Sequence, residues 1–173
     1  MPDTKTPLRL AGVVRESIVD GPGIRMAVFV QGCPHHCKGC HNQHTWSFEG
    51  GYESSVERVL EEAAKDKLLR GITLSGGEPF TQAPALTVLA KRAREMGLNI
   101  FCYTGYTFEQ LWEQFGEHPE YRELLEQCDW LVDGRFIEEE MSLMLHFRGS
   151  RNQRILDVPE SLKQGKAVIS DLN

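Results

Sequence analysis

The chain has 173 residues, 40% hydrophobic and 25% charged, enough for one sizeable core and no more, which predicts a single domain over residues 1–173. A formal net charge of -6 argues against a general phosphate-binding surface, so nucleic acid is a poor partner, and no apolar run approaches the ~20 residues of a membrane span. Five cysteines, an odd count, and no recognisable signal peptide argue against a disulfide framework and point to the cytoplasm.

Met1 to Pro7 reads as a polar, loosely ordered terminus. Met26 to Val30 is a short apolar run of the kind that makes a buried strand, and it leads straight into Gly32 and a cysteine-bearing loop. Ser54 with Glu57 fits a capping box, after which Val56, Val59, Leu60 and Ala63 fall on one face of an amphipathic helix. Ile72 to Ser75 is the next strand. It is followed by Gly76-Gly77-Glu78-Pro79 and by a helix whose apolar face is Leu86, Leu89, Ala90 and Ala93, closed by Gly97. Asn99 to Tyr103 repeats the strand signal, Thr107 and Gln110 form a second capping box, Tyr121 to Gln127 is a short helix, and Trp130 to Asp133 is a fourth strand. In the tail, Ile155 to Val158 and Ala167 to Ser170 read as strands separated by a helical piece that Gly165 ends.

This alternation predicts an α/β fold with a mainly parallel sheet and right-handed crossovers. A complete eight-unit barrel takes ~250 residues, so an incomplete (β/α) barrel of five to six units is expected. The suspicious motifs all follow strands: the cysteine loop, Gly76 to Pro79, Thr104-Gly105 and Asp133-Gly134-Arg135. In parallel α/β architectures that rim is the functional edge.

The spacing Cys33-x-x-x-Cys37-x-x-Cys40 carries the chemistry. Three thiolates can hold a cubane iron-sulfur cluster and leave its fourth iron open, whereas clusters that only carry electrons usually take four cysteines. His35, His36, His41 and His44 crowd the same stretch, so spacing alone leaves a closed Cys3His zinc site in play. Gly76-Gly77 taken alone is common turn chemistry. Cys102 and Cys128, on a strand and at a helix end, read as small apolar core residues.

The cysteine triplet with Gly-Gly-Glu-Pro one strand later resembles the radical S-adenosylmethionine enzymes. That resemblance implies a [4Fe-4S] cluster on Cys33, Cys37 and Cys40, with S-adenosyl-L-methionine as cosubstrate and its ammonium group at Gly76, Gly77 and Glu78. Asp20-Gly21-Pro22-Gly23-Ile24-Arg25, then the cysteines, then His41-Asn42 and Thr45-Trp46, is similar to the activating enzymes of glycyl-radical enzymes. It implies that Asn42 lies beside the cosubstrate; Thr104 after the third strand and Asp133 and Arg135 at the end of the fourth are further candidates for polar contacts with it. Leu131 to Phe136 and Phe147 to Ile155 resemble the activating proteins of anaerobic, class III ribonucleotide reductases. The partners so implied are the large subunit of such a reductase and a low-potential electron donor such as flavodoxin or ferredoxin. A formate-lyase-type glycyl-radical partner is one alternative, and a non-enzymatic zinc-binding or electron-carrying module is the alternative from a different class. Where many family members carry an aromatic residue before the third cysteine, this chain has Gly39. Arg148, Arg151 and Arg154 are candidates for the partner or for the cosubstrate carboxylate, and for Asp133 and Arg135 a structural ion pair is the competing role.

Overall fold

The structure, a computed structural model, describes residues 5–172. Residues 1–4 of the expected loose terminus lie outside the described residues, and the rest of it is tied down: Pro7 opens a strand and the Thr6 carbonyl accepts the Val56 N–H at 3.0 Å. The elements are β1 (Pro7–Ser17), β2 (Arg25–Val30), β3 (Tyr52–Ser55), α1 (Val56–Ala64), β4 (Gly71–Gly76), α2 (Ala83–Glu95), β5 (Asn99–Tyr103), α3 (Phe108–Gln114), α4 (Pro119–Leu125), β6 (Trp130–Asp133), β7 (Arg154–Asp157) and α5 (Val158–Gln164).

One sheet holds all seven strands in the order β3-β1-β2-β4-β5-β6-β7. Its centre is parallel, with β2, β4, β5 and β6 paired in sequence, and antiparallel strands flank it on both sides. The α/β expectation is met, and the sheet is mixed rather than mainly parallel: three of the six pairings are parallel, and β3 and β7 lie at its edges. The central strands are the short apolar runs expected to be buried on both faces.

Side chains alternate between the faces of a strand, and the two faces here have different fates. Val28, Val30, Ile72, Leu74, Ile100, Cys102 and Leu131 point into the main core, where α1, α2 and α4 cover the sheet. The opposite face carries Phe101, Val132 and Ile155, packed against Tyr103, Trp130 and Phe147. Over this second face, near the strand ends, the segment 136–149 roofs a cavity. Arg25 forms the floor of that side. Its guanidinium is fully buried, donates to Thr73 Oγ1, the Pro22, Ile72 and Asn99 carbonyls and Asn99 Oδ1, and lies over the Phe101 ring. Burial lowers its pKa to about 10, so it remains a cation that ties together the starts of three parallel strands.

Local details differ from the sequence reading in instructive ways. The Thr107/Gln110 capping box is formed as expected. The first box shifts by one residue: Ser55, not Ser54, caps α1 and accepts the Arg58 N–H, because Ser54 is held opposite Leu8 in the β1–β3 ladder. Val158 begins α5, capped by Asp157, and Ala167 to Ser170 supplies only a single bridge, Ile169 opposite Leu156.

Candidate active site

The carboxyl ends of β2, β4 and β5 open onto a cavity of about 710 Å³. Phe29, Ser75 and Tyr103 form its sheet wall, Cys40, His41 and Asn42 a second wall, Asp20 a corner, and Phe136, Phe147 and Arg148 the roof. The Tyr103 hydroxyl donates to the Phe147 carbonyl, which fixes the roof to the sheet. Phe147 holds a left-handed φ of 64°, uncommon for a bulky side chain.

The cysteine loop leaves β2 at Gln31 and returns at a short turn, Gln43–Thr45. Two backbone bonds close its neck, Gly32 N–H to Thr45 O at 2.6 Å and Cys33 N–H to Trp46 O at 3.2 Å. Cys33 is buried; Cys37 and Cys40 are half-buried, and all three are free thiols. Burial pushes the Cys33 and Cys37 thiols up, while backbone N–H groups pull the other way: those of His35 and His36 at Cys33, and that of Phe136 at Cys37. The Arg135 guanidinium also favours the Cys37 thiolate. The Asn42 N–H reaches Cys40 Sγ at 3.4 Å. Such N–H groups facing sulfur suit a cluster, whose thiolates they stabilise and whose potential they tune.

The histidines do not close a zinc site around these thiols. His35 is bound to Glu78, His36 stacks on Trp46 with ring centroids 4.5 Å apart, and His41 lies against Phe136. Among the described residues no three His, Cys, Asp or Glu side chains converge as a single ion requires. A cubane asks for something different, three sulfurs spread round a loop so that each meets its own iron. The donor set of free thiols ringed by backbone N–H groups therefore fits a cluster better than a mononuclear ion.

Gly76 and Gly77 are required by the chain itself. Gly76 has φ +103°, and a Cβ on either residue would strike the backbone of residues 29–32. The two strand ends therefore pack backbone to backbone, with Gly77 N–H to Val30 O at 2.9 Å and Glu78 N–H to Gly32 O at 2.8 Å. The Glu78 side chain turns inward and is fully buried. Thr104, Gly105 and Phe80 donate to its carboxylate, and His35 Nε2 lies 2.6 Å from it. In this structure protein groups occupy the Glu78 carboxylate, Thr104 among them.

Asp133 makes the ion pair that was its competing role. It is 1% exposed, accepts from Arg154 Nε at 3.0 Å and from the Phe108 N–H at 2.8 Å, and is ion-paired to Arg154 Nη2. Arg154 also binds Glu109, which sets it as a structural bridge from β7 to β6 and α3. Arg135 is exposed beside the cysteine loop, Arg151 is exposed, and only Arg148 of the three tail arginines lines the cavity. Arg148 Nη1 donates to the Gln153 carbonyl, and its buried Nε has no hydrogen-bond partner. Nothing in the local pattern marks Phe136, Tyr103 or Phe147 as walls, or the exposed Ile18, Val19, Leu143 and Met144 as the cavity mouth. Their positions follow from long-range packing that no local pattern encodes.

The profile of the 4Fe-4S single cluster domain family matches residues 19–156. The anaerobic ribonucleoside-triphosphate reductase-activating protein of Vibrio cholerae serotype O1 is 40% identical over 146 residues, 80% of this chain and 90% of that protein. The protein of the same name from Escherichia coli K12 is 33% identical over 144 residues, 79% of this chain and 90% of its own length. Among solved structures, the crystal structure of QueE from Escherichia coli overlays 58% of this chain and 54% of its own at 19% identity and a TM-score of 0.44. On the match of motif, cluster-domain profile and full-length relatives, the chain belongs to the family of anaerobic ribonucleoside-triphosphate reductase-activating proteins.

Proposed function

We propose that this chain is one radical S-adenosylmethionine domain that generates the glycyl radical on the large subunit of an anaerobic ribonucleoside-triphosphate reductase. The observation that carries the reading is the placement of the cysteine loop: Cys40 and Asn42 stand in the wall of a cavity at the strand ends, large enough for a nucleoside-sized cosubstrate. Cys33, Cys37 and Cys40 would hold a [4Fe-4S] cluster, which, once reduced by the electron donor, would supply the electron for reductive cleavage of S-adenosyl-L-methionine and so for hydrogen abstraction from the partner's glycine.

The chain's own residues bind, orient and exclude. The Gly76 to Glu78 backbone edge and Asn42 lie next to the cysteine loop, where they can hold the methionine end of the cosubstrate. Arg148, with its orphaned Nε in the roof, suits a carboxylate. Phe29, Tyr103, Phe136 and Phe147 offer apolar and aromatic surface to the adenosine, the task that Gly39 leaves to others. They also keep water and stray hydrogen donors from the reacting carbon. At the mouth, the exposed Ile18, Val19, Leu143 and Met144 support a protein segment as the hydrogen donor. Flavodoxin or ferredoxin is the electron donor in this reading, and the cytoplasm the setting. No helix among the described residues is long and apolar enough to cross a membrane.

Anaerobic reconstitution with iron and sulfide, followed by reduction with S-adenosyl-L-methionine present, tests the reading. Cluster-dependent 5'-deoxyadenosine is expected, with a glycyl radical signal on a class III reductase and none on a formate-lyase-type enzyme. A colourless protein that holds zinc and forms no product overturns the radical chemistry; a signal on the formate-lyase-type enzyme alone overturns the partner.

A further inference from the structure

We propose that His35 is a positioning residue that works through Glu78: their buried contact fastens the cluster loop to the ends of β4 and β5, so that the loop and the cosubstrate edge behave as one rigid body. The proposal rests on the radical reading above for its consequence, but the contact itself is independent of that reading.

His35 sits midway between Cys33 and Cys37, in a stretch with no regular structure from residue 31 to residue 42. A loop so built is held by few backbone bonds, and its side chains must supply the rest. The His35 side chain is 4% exposed and the Glu78 side chain 0%. Imidazole Nε2 lies 2.6 Å from Glu78 Oε1. The same oxygen accepts from Thr104 Oγ1 at 2.8 Å and from the Gly105 N–H at 2.9 Å, and Oε2 accepts from the Phe80 N–H at 3.0 Å. Every other partner of the carboxylate is a donor. Nε2 therefore carries a hydrogen as well, which fixes how the ring is turned.

The receptacle for the ring is built to shape. Tyr106 meets the imidazole edge-on with centroids 4.7 Å apart, and any side chain at Gly105 would occupy the space the ring takes. One carboxylate thus gathers three rim segments: the cysteine loop, the turn after β4 and the turn after β5. A shift of the Gly76 to Glu78 edge on ligand binding must be shared by the loop that bears Cys33 and Cys37. In this reading Glu78 acts on the cosubstrate through that linkage, since both its oxygens are taken by protein groups.

The test uses the full chain with His35→Leu, which keeps bulk and removes the donor, and His35→Gln, which restores a donor. In the metal-free protein, amide hydrogen exchange at residues 33–41 and at Gly105 should rise about 10-fold in His35→Leu, the factor that loss of a charge-assisted hydrogen bond gives, and return to within about threefold of wild type in His35→Gln. After reconstitution, His35→Leu should still hold its iron but bind S-adenosyl-L-methionine about 10-fold more weakly, and lose the change that the cosubstrate makes in the spectrum of the reduced cluster. Unchanged exchange and affinity in His35→Leu overturn the proposal, as does equal loss in both variants, which would make bulk the cause. If His35→Leu does not fold, Thr104→Val removes one donor from the same oxygen, and unchanged exchange at residues 35–37 in that variant overturns the proposal. A wild-type chain that ignores the cosubstrate sinks the radical reading and leaves the exchange result to decide on His35.

Discussion

The two lips of the cavity face one another across a few side chains, yet they are built on opposite principles. On the lip formed by the cysteine loop and the turns after β4 and β5, polar groups are buried and matched: His35, Glu78, Thr104 and Gly105 form one closed set. On the other lip, residues 137–149 and the turn at Ile18-Val19 leave large apolar groups in solvent, with Leu143 91% and Met144 87% exposed. A lip that carries a reactive centre must hold its geometry, and buried satisfied hydrogen bonds do that. A lip that leaves apolar side chains in water is built for something that covers them. Under the proposed function, the difference separates the part of the site that positions the cosubstrate from the part that receives the protein partner.

The largest effect should follow from breaking the rigid lip at its centre. Cys37→Ala removes one of three cluster thiolates, so reconstituted iron should fall towards zero and 5'-deoxyadenosine formation should cease; retained cleavage would remove the three-thiolate cluster from the site. Next comes the hinge between the lips. Arg154→Met strips the buried Asp133 of its cation at the root of segment 134–149, and should cost about 2–3 kcal/mol of stability, read as a lower urea midpoint with unchanged slope. The soft lip sharpens the contrast: Leu143→Asp should cut the glycyl radical yield on the reductase about 10-fold, the size of an ordinary interface anchor, with a far smaller effect on cosubstrate affinity. The smallest effect belongs to Glu109. Its hydrogen bond from Arg154 holds its carboxyl below the usual range, so the stability it lends is present above about pH 4 and is lost as pH falls through the lowered value. Glu109→Gln should therefore lower the melting temperature slightly at pH 7, and the difference from wild type should vanish in acid.

The central strands were legible because burial on both faces leaves an unbroken apolar run, as at Met26 to Val30 and at 130–132. The strands β1 and β3 were not. The first carries Gly12 and two register shifts against β2, which break the alternation a strand would show, and the second reads Tyr52-Glu53-Ser54-Ser55, which looks like helix-capping chemistry until its pairing with β1 is known. The site divides the same way. Three cysteines at fixed spacing announce themselves, since local chain geometry alone brings them round one loop. A carboxylate at a strand end looks free in a sequence, and whether it faces a ligand depends on a partner far along the chain. For Glu78 that partner is His35, 43 residues earlier, and for Asp133 it is Arg154, 21 residues later. Both partners were visible as residue types, but only the folded sheet brings them to their carboxylates.

The five cysteines also divide into classes that a thiol-specific reagent can count. Cys102 and Cys128 are walled off in the core at 0% and 2% exposure, and burial pushes the Cys102 thiol well up, so neither reacts while the sheet is intact. Cys37 and Cys40 are half-open, and Cys33 lies just beneath them. A short alkylation pulse read by mass thus distinguishes two injuries that look alike in an activity assay. Stripping the cluster by air adds labels in the loop alone, whereas unfolding adds two more from the core, so the chain reports on its own whether it has lost its metal or its shape.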